Sequence, residues 1–504
     1  MFEPEPRSET VAFSADQVAA WEAIEARLAA AGIGLSGEGP GPAPASGTSE
    51  IVAVTGKAGS GKTVLLAKLA ESLAGAGLVT VTPDWESTRY RRERSVAILA
   101  PTNKAASVLR AKGVAATTIH RILYTPVYDP EFQKIAEWLE AADSSPAPSD
   151  ALGAEALDRA RRSFIEHGSV PGALAAAGVR GADFITGWTR RKDPLDIALV
   201  DEASMIDSDQ LEDLKALFGL IVLFGDPAQL APVKAKGRMI FDRLPEGRVH
   251  HLARVFRQDA GSPILDLAHA LGDPELGFEG FEALVREKAE TDARVVIAAR
   301  ADADLMRESP VLVWRNRTRM RLIRAFRQAQ GCPDDALLPG EPLICDGLEL
   351  PLKERRQRIE LERRGLIKGA QARYLGPGRR PGFARVDIAG TEEPGISVAA
   401  IIQIESPDEA EPRLLSAARM GALFLHGAAC TIHKAQGSQW PAVQVFAPDL
   451  YAAARSGQVE DGVPLWKRLA YVAVTRAEAR LVWVTRYMIS RPGTPLAEEA
   501  GLDP

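Results

Sequence analysis

Gly56-Lys57-Ala58-Gly59-Ser60-Gly61-Lys62-Thr63 decides how this chain is read. The apolar run Ile51-Val52-Ala53-Val54 before it has the character of a buried strand, and Thr63-Val64-Leu65-Leu66-Ala67-Lys68-Leu69 opens an amphipathic helix. Strand, glycine loop and helix is the context in which this spacing cradles phosphate. Glycines permit the tight turn that lets backbone N–H groups converge on phosphate oxygens at a helix N-terminus. On this reading Gly56, Gly59, Ser60 and Gly61 form the cradle. Lys62 reaches the β- and γ-phosphates, and the Thr63 hydroxyl ligates Mg²⁺. A chance glycine-rich turn would have to reproduce the whole pattern in the right setting, so a nucleoside triphosphate is the expected ligand.

Outward from the loop, the next informative strand is Asp196-Ile197-Ala198-Leu199-Val200, which ends in Asp201-Glu202-Ala203-Ser204. An acidic pair at the carboxyl end of a buried strand lies where ligands bind in open α/β sheets. Asp201 is expected to hold Mg²⁺, directly or through water, and Glu202 to polarise the attacking water as general base. The same residues could instead cap the following helix. Their position downstream of a phosphate loop favours the catalytic reading.

With 504 residues, the chain has room for about three or four domains. Hydrophobic residues at 46% and charged residues at 25% are ordinary globular values. Cys332, Cys345 and Cys430 lack metal-ligand spacing, which argues against zinc sites and disulfide frameworks. No apolar run of membrane-spanning length and no basic-then-apolar leader is visible, so a cytoplasmic location without membrane contact is the default. The net charge of −6 gives no sign of a polyanion partner. Local clusters at Arg89–Arg94, Arg190-Arg191-Lys192 and Lys353–Arg358 keep one open, although solvated surface charge explains any single cluster better.

Residues 31–50 and 143–150 are rich in Gly, Pro, Ala and Ser and read as loops; the second splits helical stretches near 130–142 and 152–167. Strands are expected at 51–55, 96–100, 196–200, 220–224, 311–314, 443–446 and 481–485, alternating with helical patterns. That alternation argues for parallel sheets in α/β domains.

The strand Leu220–Phe224 runs into Gly225-Asp226-Pro227-Ala228-Gln229-Leu230-Ala231-Pro232. Here the chain resembles the superfamily-1 helicases, whose third motif has this form; the resemblance makes Gln229 the sensor of the γ-phosphate. Further motifs follow the family's order. Phe13-Ser14-Ala15-Asp16-Gln17 resembles the Gln motif, with Gln17 on the adenine edge. Pro101-Thr102-Asn103-Lys104 and Thr117-Thr118-Ile119-His120 resemble strand-contacting motifs. Arg254-Val255-Phe256-Arg257-Gln258 resembles the fourth motif, Thr431-Ile432-His433-Lys434-Ala435-Gln436-Gly437-Ser438-Gln439 the fifth, and Tyr471–Ala477 the sixth. By resemblance Arg257 reaches the γ-phosphate and Arg476 is an arginine finger. Thr102, Asn103, His120, Thr431 and His433 touch DNA, and Gly437 belongs to the nucleotide site. Taken singly, the histidines would be structural, Thr102 a helix cap and Arg257 a surface ion pair.

The fifth motif is more similar to the RecD/Dda branch than to the UvrD/Rep branch. The implied fold is α/β: two RecA-like P-loop NTPase motor domains, a helical accessory insertion and a small SH3-like β-barrel insertion. The expected divisions are 1–124 and 196–245 for the first motor, 125–195 for the accessory region, 246–329 and 426–490 for the second motor, 330–425 for the barrel and 491–504 for a tail. Phe132, Trp138 and Trp188 could be pin residues in the accessory region, but core aromatics are the better expectation. The implied activity is an ATP- and Mg²⁺-dependent DNA helicase moving 5′→3′ on single-stranded DNA and opening duplex DNA. A monomer is the default, with a single-strand-binding or repair protein open as a partner. A translocase without unwinding, a nucleotide-switched binding protein, an RNA helicase and a P-loop phosphotransferase stay as alternatives.

Overall fold

The computed structural model describes residues 13–35, 49–81, 93–128, 152–167, 185–230, 239–254 (without 246), 261–349, 361–405 (without 363, 390 and 392–394), 413–417 and 421–502 (without 461), together with 134, 135, 137–139, 141, 173 and 177. Arg257, Ala231, Phe132, the side chain of Trp188, the clusters at 89–92 and 353–358, and most of both Gly/Pro-rich segments lie outside the described residues. The described residues fall into two compact units. The first lies within Met1–Pro101, Ala105–Leu123 and Lys192–Ala260; the second lies within Thr102–Lys104, Tyr124–Arg191 and Gly261–Pro504.

The first unit is built on a parallel sheet. Its strands are β1 (Glu50–Gly56), β2 (Val79–Thr80), β3 (Ser95–Ala100) and β4 (Thr117–Thr118), then, after an excursion through β5 (Tyr124–Tyr128) and β6 (Ile185–Arg190), β7 (Leu195–Val200), β8 (Phe218–Gly225) and β9 (Val249–Leu252). The order is β2-β3-β7-β8-β1-β9, with β4 beside β3. β1 lies parallel to β8 with Val52 opposite Val222, and β7 lies parallel to β8 with Leu199 opposite Val222. The central strands read as continuous apolar runs because helices cover both faces of the sheet. α1 (Ala15–Ala30), α2 (Lys62–Gly75) and α3 (Asn103–Ala111) bury Ile24, Leu28, Leu65, Leu66, Leu69 and Leu109 against Val52, Val54, Ile98 and Val222. α4 (Ile119–Leu123) follows β4, and α5 (Ala154–His167) belongs to the accessory region. α6 (Ser208–Leu217), capped by the Asp207 carboxylate on the Gln210 N–H, precedes β8.

In the second unit, β10 (Val295–Ala298), β11 (Val311–Val313), β18 (Ala429–Thr431), β19 (Trp440–Phe446) and β22 (Ala477–Val484) form a five-stranded parallel sheet of order β10-β22-β19-β11-β18. α7 (Pro263–Ala270), α8 (Phe278–Thr291), α9 (Asn316–Ala329), α10 (Ile432–Ala435), α11 (Ala447–Arg455), α12 (Leu465–Thr475) and α13 (Leu496–Glu499) accompany it. Every residue of α12 is buried, including Lys467 and Arg468, which donate to the carbonyls of Asp273, Pro274 and Glu460.

Between β11 and β18 the chain forms a barrel from β12 (Pro342–Glu349), β13 (Gln371–Pro377), β14 (Phe383–Ile388), β15 (Ile396–Ile404) and β17 (Gly421–His426). The order β14-β13-β12-β17-β15 closes on itself through β14–β15 pairing, and β16 (Arg413–Ala417) adds to β15. Closure removes the free edges of a small sheet. Alternate residues such as Tyr374, Val386, Val398, Ala400 and Phe424 point into one core. The barrel begins and ends on neighbouring strands, with Leu343 opposite His426 and the Gly427 N–H donating to the Pro342 carbonyl. A short ribbon, β20 (Val459–Glu460) with β21 (Val463–Pro464), precedes α12.

The accessory region joins an antiparallel ribbon, β5 with β6, to helical segments whose core is Ile135, Leu139, Leu157 and Ala160. Trp138 packs on that cluster with the Arg161 guanidinium 5.0 Å above its ring, as expected for a core-edge aromatic. No helix among the described residues is long and apolar enough to cross a membrane.

Candidate active site

β1 delivers the chain into the loop at Gly56, and α2 begins at Lys62. Gly59 and Gly61 have φ of +85° and +83°, so both need the left-handed conformation that glycine adopts without strain. Gly56 is required for a different reason: a Cβ there would sit 2.5 Å from Ser60 Oγ and 3.0 Å from the Leu252 carbonyl. The Lys62 ammonium donates to the carbonyls of Gly56 and Lys57, the latter at 2.9 Å, and so lies along the loop. Ser60 is 1% exposed, and its hydroxyl has no hydrogen-bond partner among the described residues. A buried hydroxyl donor without an acceptor, next to the N-terminus of α2, is the chemistry of an anion cradle.

Gln17 reaches the same loop. Its Oε1 accepts the Ser14 N–H at 3.0 Å in a capping box at the start of α1, and its Nε2 lies 3.4 Å from the Ser60 carbonyl. The adjacent Asp16 carboxylate accepts N–H groups from Arg254 and Gln17, each at 3.0 Å, and the Ser14 hydroxyl. The Arg254 N–H above all, then Ser14, holds its pKa down at about 2. Asp16 thereby ties the Gln17 segment to the stretch that leads toward Arg257. Nothing local in the sequence marks Asp16 for this role, because the Arg254 N–H lies 238 residues away.

The acidic pair stands at the end of β7. Asp201 is 8% exposed and accepts the Glu202 N–H at 3.0 Å. Burial, and next the Glu202 charge, push its pKa up to about 7, while Lys62 and Lys112 pull it down. Glu202 has φ of +50°, the only positive value for a non-glycine among the described residues. That conformation costs an L-residue about 1–2 kcal/mol and is typical of sites that aim a functional side chain. Here it turns the Glu202 carboxylate to accept from Gln229 Nε2 at 3.2 Å. Gln229 is itself buried, on the turn after β8 whose start is fixed by Asp226 accepting the Ala228 N–H at 3.0 Å. Gly225 at that turn leaves room for Phe241, whose ring would be 2.3 Å from an added Cβ.

Lys62, Asp201, Glu202, Gln229 and Gln17 are thus gathered at one end of the first sheet, around the C-terminal ends of β1, β7 and β8. No three His, Cys, Asp or Glu side chains among the described residues are grouped as a metal cage. Mg²⁺ needs no such cage: it keeps waters and phosphate oxygens and takes one or two protein oxygens. The Thr63 hydroxyl and the Asp201 carboxylate are hard oxygen donors of that kind.

Thr102 and Asn103 follow β3 directly, and His120 follows β4, which pairs with β3 through Ala100 opposite Thr118. In the second unit Thr431 ends β18, and His433 lies on α10, where burial lowers its pKa. Gly437 has φ of +73° in the turn beyond it. Arg476 caps α12 and is 4% exposed. Its guanidinium donates to the carbonyls of Val472 and Ser438 at 3.1 and 3.0 Å and to the Thr475 hydroxyl at 3.1 Å, joining the sixth-motif helix to the fifth-motif turn. A second missed residue is Asp449 on α11, fully buried. It accepts the Trp314 and Arg315 N–H groups at 3.0 and 2.9 Å, the Thr318 hydroxyl at 2.8 Å and the Arg315 guanidinium.

Two family models match the chain. One is described as an AAA domain and covers residues 43–289; the other is a UvrD-like helicase C-terminal domain and covers 426–484. No curated protein is significantly similar to the chain. Among solved structures, it is similar to the Pif1 helicase of Candida albicans at 15% identity, over 94% of this chain and 95% of that one, with a TM-score of 0.46. It is also similar to a Bacteroides Pif1 helicase in complex with ADP-AlF3 and ssDNA at 14% identity, over 88% and 90%, with a TM-score of 0.43. Identities and scores this low decide nothing by themselves, and the assignment rests on the two family models with the parallel sheets.

A P-loop sheet followed by a UvrD-like domain on one chain defines an ATP-hydrolysing RecA-like motor enzyme. The two matches, an AAA domain and then a UvrD-like helicase C-terminal domain, give the chain the domain make-up of the superfamily-1 helicases.

Proposed function

We propose that this helicase acts on DNA as a member of the RecD/Dda-like branch, translocating 5′→3′ on a single strand and separating duplex ahead of it. The observation that carries the catalytic part is the Glu202–Gln229 hydrogen bond beside Asp201 and the Lys62 loop. It links a carboxylate suited to accept a water proton to an amide suited to sense the γ-phosphate.

In the proposed reaction Lys62 leaves the Gly56 and Lys57 carbonyls and neutralises the β- and γ-phosphates. Glu202 takes the proton of the attacking water, and Gln229, sharing that carboxylate, couples its position to the γ-phosphate. Thr63 and Asp201 would hold Mg²⁺, which would neutralise charge on the phosphate oxygens when bound. Gln17 is assigned to the adenine edge. Arg257 and Arg476 are assigned to the developing transition-state charge; for Arg476 this requires its guanidinium to give up the Val472 and Ser438 carbonyls. Thr102, Asn103, His120, Thr431 and His433 are assigned to the DNA strand, and Gly437 to the nucleotide.

The test is strand displacement with ATP and Mg²⁺ on matched duplexes carrying a 5′ or a 3′ single-stranded tail, with ATPase followed in parallel. Opening only from the 5′ tail is expected. Opening from the 3′ tail overturns the branch, and DNA-stimulated hydrolysis without displacement reduces the activity to translocation.

A further inference from the structure

In the second unit, β10 is the outermost strand of the parallel sheet and pairs with β22 on one side only. A groove of about 580 Å³ runs between this edge and α8. Its walls are Arg286, Ala289 and Glu290 from α8, Val296 and Ile297 from β10, and Arg480 at the start of β22. Three features distinguish it from ordinary surface.

The first is the backbone. The Arg294 and Ala298 carbonyls accept from Leu481 and Thr485 of the β22 segment at 2.8 and 2.9 Å. Peptide groups of alternate residues point to opposite edges of a strand. The N–H and carbonyl of Ile297 therefore point away from β22, ready for an added strand. The second is the apolar floor: Ile297 is 37% exposed, and Ala289 of α8 lines the groove with it. The third is charge. Neither Arg286 nor Arg480 has an ion-pair or hydrogen-bond partner among the described residues. Glu290 is the one acidic side chain of the wall, which leaves the groove net positive.

We propose that the groove between α8 and the free edge of β10 docks an extended acidic peptide of a partner protein. The peptide adds to β10 through main-chain hydrogen bonds, lays an apolar side chain on Ile297 and Ala289, and brings carboxylates to Arg286 and Arg480. Charge complementarity selects this occupant. A nucleic-acid backbone would meet Glu290 and an apolar floor, and would leave the strand edge unused. A second copy paired edge to edge would set the two arginines of one groove against those of the other. The proposal is independent of the reaction assigned to the first unit.

The experiment uses the full chain and a fluorescein-labelled octapeptide alternating valine with aspartate, followed by fluorescence anisotropy. The controls are the same peptide with lysine for aspartate, and the acidic peptide N-methylated on alternate amides. The acidic peptide is expected to bind, and each control to bind at least about tenfold more weakly. The double variant Arg286→Glu with Arg480→Glu should lose about tenfold in affinity for it while keeping its circular dichroism, melting temperature and ATPase. Failure of the acidic peptide to bind, equal binding of the lysine peptide, or unchanged affinity in the double variant overturns the proposal. A concentration-dependent dimer abolished by the double variant would give the groove to a second copy. A loss of DNA affinity with peptide binding intact would give it to nucleic acid. Either result overturns the proposal too.

Discussion

Both parallel sheets run a buried strand into the N-terminus of a helix, and they treat that end in opposite ways. After β1 the chain passes through left-handed Gly59 and Gly61 into α2, and among the described residues no side chain caps its first turn. After β11 the chain enters α9, and the N–H groups of Trp314 and Arg315 just before the helix, with the Thr318 hydroxyl in its first turn, meet the buried Asp449 carboxylate. A helix N-terminus carries about half a positive charge together with N–H groups that lack intrahelical partners. In the first sheet glycine keeps this end available to an anion that comes and goes. In the second the anion is part of the protein, from α11, and the end is permanently neutralised. One fold thus yields a nucleotide site or a structural joint, according to whether the negative charge is a ligand or a side chain.

The largest expected effect removes the ligand's side of this contrast. Lys62→Ala should lower ATP turnover by roughly a thousandfold, and Glu202→Gln by roughly 10²–10⁴-fold with ATP binding retained. Steady-state hydrolysis and nucleotide titration separate the two, and normal turnover in either variant would refute the site.

Next is the built-in anion. Asp449→Ala leaves the Trp314 and Arg315 N–H groups and the Thr318 hydroxyl without their acceptor, and should destabilise the second unit by about 3 kcal/mol. Asp449→Asn, which retains one acceptor, should cost less. Denaturant unfolding measures both, and nucleotide affinity of the folded variants should be unchanged.

Gly61→Ala tests the backbone. At φ of +83° a Cβ costs about 1–2 kcal/mol, so nucleotide affinity should fall by about tenfold. Wild-type affinity in the variant would mean that the loop does not need this conformation.

The smallest expected effect concerns pH and lies in another built-in charge cluster of the second unit. Glu341 is fully buried; it accepts from Arg327 Nε at 2.9 Å and pairs with His426 Nε2 at 3.1 Å. Burial raises the Glu341 pKa, but the His426 hydrogen bond and the charges of His426 and Arg327 outweigh it and leave it low. Burial holds His426 below its ordinary value despite the pull of Glu341. The unfolded chain therefore takes up a proton at His426 more readily than the folded one, and stability should fall as pH drops through the ordinary histidine range near about 6.5. Unfolding of the wild type at pH 7.5 and 5.5 should show this loss, and His426→Gln should reduce it.

What could be read from the sequence followed the range of each interaction. The phosphate loop, the acidic pair and the longer central strands are written in contiguous residues, and β1, β3, β7, β8, β11, β19 and β22 lie within a few residues of their expected places, whereas the short strands β2, β4, β9, β10 and β18 had no expectation. Examples are 51–55 against Glu50–Gly56 and 443–446 against Trp440–Phe446. Asp16, Asp449 and Glu341 could not be found that way. Besides local partners, Asp16 meets the Arg254 N–H across 238 residues, Asp449 the Thr318 hydroxyl across 131 and Glu341 the His426 imidazole across 85, and a lone carboxylate carries no local sign of such distant partners. Nor is the burial of Arg476 legible, because an arginine at the end of a helix usually remains in water. The barrel was read through resemblance, since short half-buried strands have only a weak period of their own.

The barrel's attachment has a consequence for the history of the chain. Because β12 and β17 are neighbours and the Gly427 N–H closes on the Pro342 carbonyl, the segment departs and returns through one narrow gateway. Inserting or exchanging such a cassette requires little adjustment of β11 or β18, whose pairing resumes at Ala429. Lineages could therefore resize this module while the motor sheet beneath it stayed in register.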